Sequence, residues 1–172
     1  ENDSASIVGN SINEIYEDHS GSLWVCTDAG LSQLIRGGEK HHFKNYLHSL
    51  KDAHKTGGNA VTDIMEDRSG NLWVSMRGGG LNRLDESGQF TRFLHAEDSS
   101  GRLENWIENL HEDVNGIFWL SARASRLVTF DPRSGVFTRY NTEQLGEEHV
   151  YGIGNGSLGN LLLSTTKGLF SL

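Results

Sequence analysis

Ala60–Met76 reads A-V-T-D-I-M-E-D-R-S-G-N-L-W-V-S-M. The run Val61–Glu66 is rich in strand-forming residues and stops at Asp67-Arg68-Ser69-Gly70. Such a stretch predicts a turn, because Asp bonds its own backbone two residues on and Gly accepts positive φ. Leu72-Trp73-Val74-Ser75 follows as an apolar, buried strand. Arg77-Gly78-Gly79-Gly80 turns again into Leu81–Leu84, and Asp85-Glu86-Ser87-Gly88 turns into Gln89–Phe93. Four short strands joined by three tight hairpins make one antiparallel sheet.

The same stretch is written three more times. Ser11–Thr27 reads S-I-N-E-I-Y-E-D-H-S-G-S-L-W-V-C-T, Asn105–Ser121 reads N-W-I-E-N-L-H-E-D-V-N-G-I-F-W-L-S, and His149–Thr165 is a worn copy, H-V-Y-G-I-G-N-G-S-L-G-N-L-L-L-S-T. The anchors Trp24, Trp73, Trp119 and Leu162 recur at intervals of about 40–50 residues, the period of β-propeller blades. The expected fold is therefore all-β, a partial propeller over residues 1–172, with repeats at about 11–46, 60–93, 105–140 and 149–172. The fourth repeat reaches a third strand, Gly168–Leu172, and shows no fourth. Propellers close with about 4–8 blades. Three full repeats and a short one predict a piece of a longer propeller, or a half that pairs with a second copy. An unpaired blade edge invites such pairing.

Repetition also decides how single residues are read. Glu17-Asp18, Glu66-Asp67 and Glu112-Asp113 resemble paired catalytic carboxylates. Their return at one place in each blade predicts turn capping instead. Asp18, Gly21 and Trp24, Asp67, Gly70 and Trp73, and Asp113, Gly116 and Trp119 form the structural repeat, with the tryptophans wedged between blades.

The net charge is −8, which disfavours nucleic acid as a partner. No apolar stretch of about 18 residues marks a membrane span, and the N-terminal residues have no signal pattern. Membrane attachment is therefore expected only through segments outside this sequence. Cys26 is the single cysteine, which excludes an internal disulfide and a Cys-rich zinc site. Its place in an apolar strand predicts a buried, unreactive thiol. His41, His42, His48 and His54 lie close in sequence, but neighbouring strand residues face opposite ways, and a solvated linker is the better reading than a metal site. No metal and no cofactor are expected.

The repeats resemble the two-component regulator propeller motif, V-x-x-I-x-E-D-x-x-G-x-L-W-[VI]-x-T-x-x-G-G-L-x-R-L-D followed by G-x-F-x-x-Y. The second copy matches it almost throughout. The first keeps Ile12, Ile15, Glu17, Asp18, Gly21, Leu23, Trp24, Val25, Thr27, Gly30 and Leu31, and the third keeps Glu112, Asp113, Gly116, Trp119 and Asp131. The fourth has lost Glu-Asp and Trp. The resemblance implies the periplasmic sensor segment of an inner-membrane receptor. That segment would be non-catalytic in itself and coupled to a histidine kinase, hybrid or not, or to a diguanylate cyclase. It implies carbohydrate as one class of cue and dimerisation of the receptor.

Within that frame a ligand is expected on the face formed by the turns between second and third strands and by the connections between blades. These turns are Asp28–Gly30, Arg77–Gly80, Arg123–Arg126 and Thr166–Gly168, with linkers near 47–59, 94–105 and 141–149. Loops on a repeated scaffold are the usual place for recognition. Arg77, Arg123, Arg126 and Lys167 bring positive charge to this face of an acidic chain, and Trp106 and Tyr151 begin inner strands beside it. This set suits a carbohydrate or another small polar or anionic ligand, with guanidinium forks matching carboxylate or sulfate. Solvated or paired arginines and a packed Trp106 are the competing reading. Two other classes stay open: a sialidase-like propeller glycosidase with Arg77, Arg123 and Tyr151 in its cavity, and a protein-interaction module.

Overall fold

The computed structural model describes residues 5–37, 41–47, 60–95, 105–123, 126–141, 149–157 and 159–172. The described residues hold fifteen strands in four separate antiparallel sheets. Blade 1 is β1 (Ile12–Glu17), β2 (Leu23–Thr27), β3 (Leu31–Ile35) and β4 (His42–Tyr46). Blade 2 is β5 (Val61–Glu66), β6 (Leu72–Met76), β7 (Gly80–Leu84) and β8 (Phe90–Phe93). Blade 3 is β9 (Ile107–Glu112), β10 (Phe118–Ala122), β11 (Arg126–Asp131) and β12 (Val136–Arg139). Blade 4 has three strands, β13 (Val150–Asn155), β14 (Leu161–Thr165) and β15 (Gly168–Ser171). Strands follow one another in chain order within each sheet, and the first strands stand side by side, β1 on β5, β5 on β9 and β9 on β13. This is an arc of four propeller blades.

The core lies between the sheets. Alternate strand residues point to opposite faces, so each second strand serves two interfaces. Trp24 and Cys26 of blade 1, with Leu31, meet Val61, Ile64, Val74 and Met76 of blade 2. Trp73 and Leu81 of blade 2 meet Ile107, Leu110, Phe118, Leu120 and Phe130 of blade 3. There Trp73 stands edge-on to Phe118, ring centroids 5.0 Å apart, and to Phe130 at 5.7 Å. Such pairs add about 0.5–1.5 kcal/mol beyond the area they bury. Between blades 3 and 4 the cluster is smaller: Leu127, Val150 and Leu163, with Trp119, Ile153 and Phe170 partly buried around it.

Every inner strand carries a register shift near its start: between Ile12 and Glu14, Val61 and Asp63, and Val150 and Gly152, and in blade 3 opposite Ser121 and Ala122. The residue set free by this bulge reaches sideways. Asn13 Nδ2–H donates to Val61 O (2.7 Å) and Thr62 Oγ1–H to Ile107 O (2.6 Å). A bulge re-aims one side chain, and here it ties β1 to blade 2 and β5 to blade 3. Arg126 is a correction to the sequence reading. It opens β11 opposite Ala122 instead of lying in the turn. His48 and His54 lie outside the described residues, and His42 opens β4.

Candidate functional site

The repeated Asp-x-x-Gly-x-x-Trp stretch builds one turn three times. Asp67 Oδ1 accepts the Ser69 and Asn71 N–H groups (2.9 Å each), and its Oδ2 accepts Trp73 Nε1–H (2.8 Å). Asp18 does the same with Ser20, Ser22 and Trp24 (2.9, 2.9 and 2.7 Å). Asp113 repeats it with Asn115, Ile117 and Trp119 (2.8, 3.0 and 3.0 Å). Gly70 closes the turn at φ 80°, a left-handed conformation that glycine adopts freely. Burial is the largest single influence on Asp67 and pushes its pKa up, but the donors at Asn71, Trp73 and Ser69 together outweigh it and hold the carboxyl below its ordinary value. Asp18 and Asp113 are lowered on the same balance. Both oxygens of each of these carboxylates accept hydrogen bonds within the turn and from the indole. The tryptophan is more than a wedge, since its indole N–H locks the turn to the strand. In blade 4 Gly156 replaces the aspartate, and the Asn160 amide folds back to the place where a side chain at Gly156 would sit.

The glutamates do something the sequence reading missed. They do not cap their own turns. Glu66 Oε2 accepts the His19 N–H of blade 1 (2.8 Å) and lies 2.9 Å from His19 Nδ1. Glu112 Oε2 accepts the Arg68 N–H of blade 2 (2.9 Å). Arg68 answers with Nη1–H to Val114 O (2.6 Å) and Nη2–H to Asp113 O. Each glutamate thus stitches its blade to the turn of the blade before. Asp63 makes a second, deeper stitch: its Oδ2 accepts the Leu110 N–H of blade 3 (2.7 Å) and its Oδ1 the Ile64 N–H (2.8 Å). Burial pushes Asp63 up to about 6, against the pull of those two N–H groups and with a further push from Glu14. Burial likewise pushes the Cys26 thiol up, away from reactivity.

The turns between second and third strands do share an end with the starts of inner strands. Asp28 N–H donates to Ser11 O (3.1 Å), Arg77 N–H to Ala60 O (3.0 Å) and Arg123 N–H to Trp106 O (3.0 Å). Arg77 and Arg123 therefore hold equivalent, exposed positions in neighbouring blades. Lys167 sits one place further on, its N–H donating to Thr165 Oγ1 (3.2 Å). Among the described residues, one pair of the six predicted ligand residues touches. The Arg123 guanidinium lies over the Trp106 ring, 4.4 Å from its centroid. Trp106 is half-buried, one face is covered by that arginine, and its Nε1–H has no acceptor among the described residues. Tyr151 occupies the bulge position of blade 4, is 60% exposed, and stacks on His149 at 6.3 Å. His149, not Tyr151, is the blade 4 equivalent of Trp106. Nothing is described of the Arg126 side chain, and most of the linkers predicted to frame this face lie outside the described residues.

Residues 6–29 and 57–78 match the family described as two component regulator propeller. The two matches fall on the first two strands of blades 1 and 2. The matched residues coincide with the two copies that keep the Asp turn, its glycine and its tryptophan together with Leu before the tryptophan; the third copy has Phe118 there, and the fourth keeps Gly159 but has lost the aspartate and the tryptophan. Comparison with curated proteins finds no match. Among solved structures, the chain is similar to an extracellular domain assigned to a hybrid two component system of B. thetaiotaomicron, with TM-score 0.73 and 21% identity over 95% of this chain and 23% of that one. A second such domain from B. thetaiotaomicron gives TM-score 0.56 and 16% identity over 95% and 29%. PorZ, a surface component of the type-IX secretion system of Porphyromonas gingivalis, gives 0.71 and 12% over 95% and 26%. The chain spans about a quarter of the length of these structures. At these identities the likeness establishes the fold, a run of propeller blades.

Proposed function

We propose that this chain is part of an extracytoplasmic sensor propeller, non-catalytic in itself, that signals through a membrane-bound histidine kinase. Two observations support the class: the regulator propeller matches in blades 1 and 2, and the likeness to extracellular domains assigned to hybrid two component systems. A periplasmic position follows from the same reading. The observation that carries the ligand end is the Arg123–Trp106 pair on the turn face. A guanidinium resting on an indole is held flat with its N–H fork outward, which suits a planar carboxylate or a sulfate. Arg77, at the equivalent place one blade away, extends the positive face for an oligomeric ligand. The ligand class is an acidic or polyhydroxylated carbohydrate.

Calorimetric titration of the chain with uronic-acid-containing and neutral oligosaccharides tests this. The acidic series should bind more tightly, and Arg123→Ala should weaken it at least tenfold while leaving the circular dichroism spectrum unchanged. No heat from either series, or equal binding by the Arg123→Ala variant, would remove the assignment of the ligand to this face.

A further inference from the structure

The two arginine turns of blades 2 and 3 are joined through the inner strands. The Arg77 N–H is held by Ala60 O, and the Arg123 N–H by Trp106 O. Ala60 and Trp106 are the residues just before β5 and β9. Beside them two side chains cross from β5 to β9. Thr62 Oγ1–H donates to Ile107 O (2.6 Å), and Asp63 Oδ2 accepts the Leu110 N–H (2.7 Å). Buried Ser75 shares a hydrogen bond with Thr62 Oγ1 (2.7 Å) and orients it. Among the described residues, only this joint has both crossings. Between blades 1 and 2, Asn13 makes the first, but the Ile64 N–H is taken by Asp63 of its own blade. Between blades 3 and 4, Asn109 turns instead to Ser121 Oγ (2.8 Å) in its own sheet. Glu14, Asn109 and Gly152 hold the place of Asp63 in the other blades.

We propose that Thr62 and Asp63 are positioning residues that set the distance between Arg77 and Arg123, and that the turn face holds an acidic ligand more tightly when Asp63 carries a proton. The difference in affinity rests on the acidic ligand class proposed above. Two effects act in one direction. Burial disfavours the ionised form of Asp63, Glu14 of β1 adds to this against the pull of the Leu110 and Ile64 N–H groups, and the carboxyl titrates at about 6. The Cys26 thiol of β2 is pushed up by burial, by Asp63 and by Glu14, so it brings no compensating positive charge. The joint is therefore held best with Asp63 neutral, and the hold weakens as pH rises through that value. Asp63 also follows Ala60 by three residues, roughly 10 Å along a strand, which is close to one Debye length. An ionised Asp63 repels an anion at the turn face, and a neutral one does not.

Two-dimensional NMR of the ligand-free chain between about pH 4.5 and 7.5 tests the joint without a ligand. The Trp106 indole N–H and the Arg123 amide should shift with a midpoint of about 6. Asp63→Asn, which stands in for the neutral acid, should remove that midpoint. Titration with an oligogalacturonate then tests the face. The native chain should bind it at least about threefold more tightly at about pH 5 than at about pH 7.5, and Asp63→Asn should show the tighter value at both. A loss of structure would weaken binding at the higher pH instead of tightening it. Any gain from protonating His149 is present in both chains and cancels in the comparison. Thr62→Val should weaken binding about tenfold, and Thr62→Ser, which keeps the donor, should restore it. Signals that stay in place, or that move alike in Asp63→Asn, overturn the proposal, as does equal binding by Thr62→Val. Signals that move as expected without any binding of the oligogalacturonate overturn the ligand class and the affinity difference that rests on it, and leave the proton-dependent joint in place.

Discussion

Asp63 and Asp67 are neighbours on one hairpin and titrate in opposite directions. Asp63 is buried between inner strands, and its pKa rises to about 6. A carboxyl raised above its unfolded value of 3.8 contributes stability that is fully present below that value and is lost as pH rises through the folded pKa. Asp18, Asp67 and Asp113 are lowered, so their contribution is present above the unfolded value and is lost as pH falls through their folded pKa values. The two effects occupy separate windows. Urea unfolding between about pH 4 and 7 should show a loss of stability toward neutrality that Asp63→Asn flattens; an unchanged slope in that variant would remove Asp63 as its source. Asp67→Ala leaves the Ser69, Asn71 and Trp73 donors without their acceptor and should cost about 2–4 kcal/mol, read as a lower urea midpoint at pH 7.

At the scale of strands and turns, the glutamate stitch joins blades that share no sheet. Glu66→Ala should cost about 1 kcal/mol and should raise hydrogen exchange at the His19 amide, which loses its acceptor, while the Ser69 amide stays protected. If His19 exchange did not move, the bond would have no energetic weight. The turn into β7 depends on backbone shape. Gly80 has φ 73°, and a Cβ there would come within 2.5 Å of Phe93 O. Gly80→Ala should therefore destabilise by roughly 2 kcal/mol or more, combining left-handed strain with displacement of β8. Gly135→Ala, at φ 71° with no atom within 4 Å, isolates the strain alone and should cost less. Equal losses in the two variants would contradict the steric part.

Across the whole molecule, stability is graded along the arc, because each blade leans only on its neighbours. The interface of blades 2 and 3 holds Trp73, Phe118 and Phe130 in one packed cluster, whereas blade 4 leans on Leu127, Val150 and Leu163. Amides of β13–β15 should exchange at least tenfold faster than those of β6 and β10, measured by mass spectrometry on the intact chain. Uniform protection would mean that the arc opens as one unit. The repeat period, the strands and the Asp-x-x-Gly turns were legible in the chain because they are local: alternation fixes which residues face a core, and Asp and Gly act within four residues. The ligand face was legible in part. Arg77 and Arg123 do hold equivalent turn positions, but the stacking of Arg123 on Trp106 joins the residue after β10 to the residue before β9. The separation of Trp106 from the column of Tyr151 depends on a bulge that leaves no mark in the spacing.

Taken alone, the sequence settles that this is a run of propeller blades, since a fourfold copy of one amphipathic hairpin cannot bury its apolar faces except against its own repeats. The tertiary structure alone decides what the repeated acids do. Glu66 and Glu112 look like partners of the aspartates beside them, yet they bond donors 47 and 44 residues away in another blade. Asp63 looks like any strand carboxylate, yet it is buried against Leu110. Strand neighbours point to opposite faces, so which blade receives a side chain is set by the stacking of sheets, and that is a property of the packed arc.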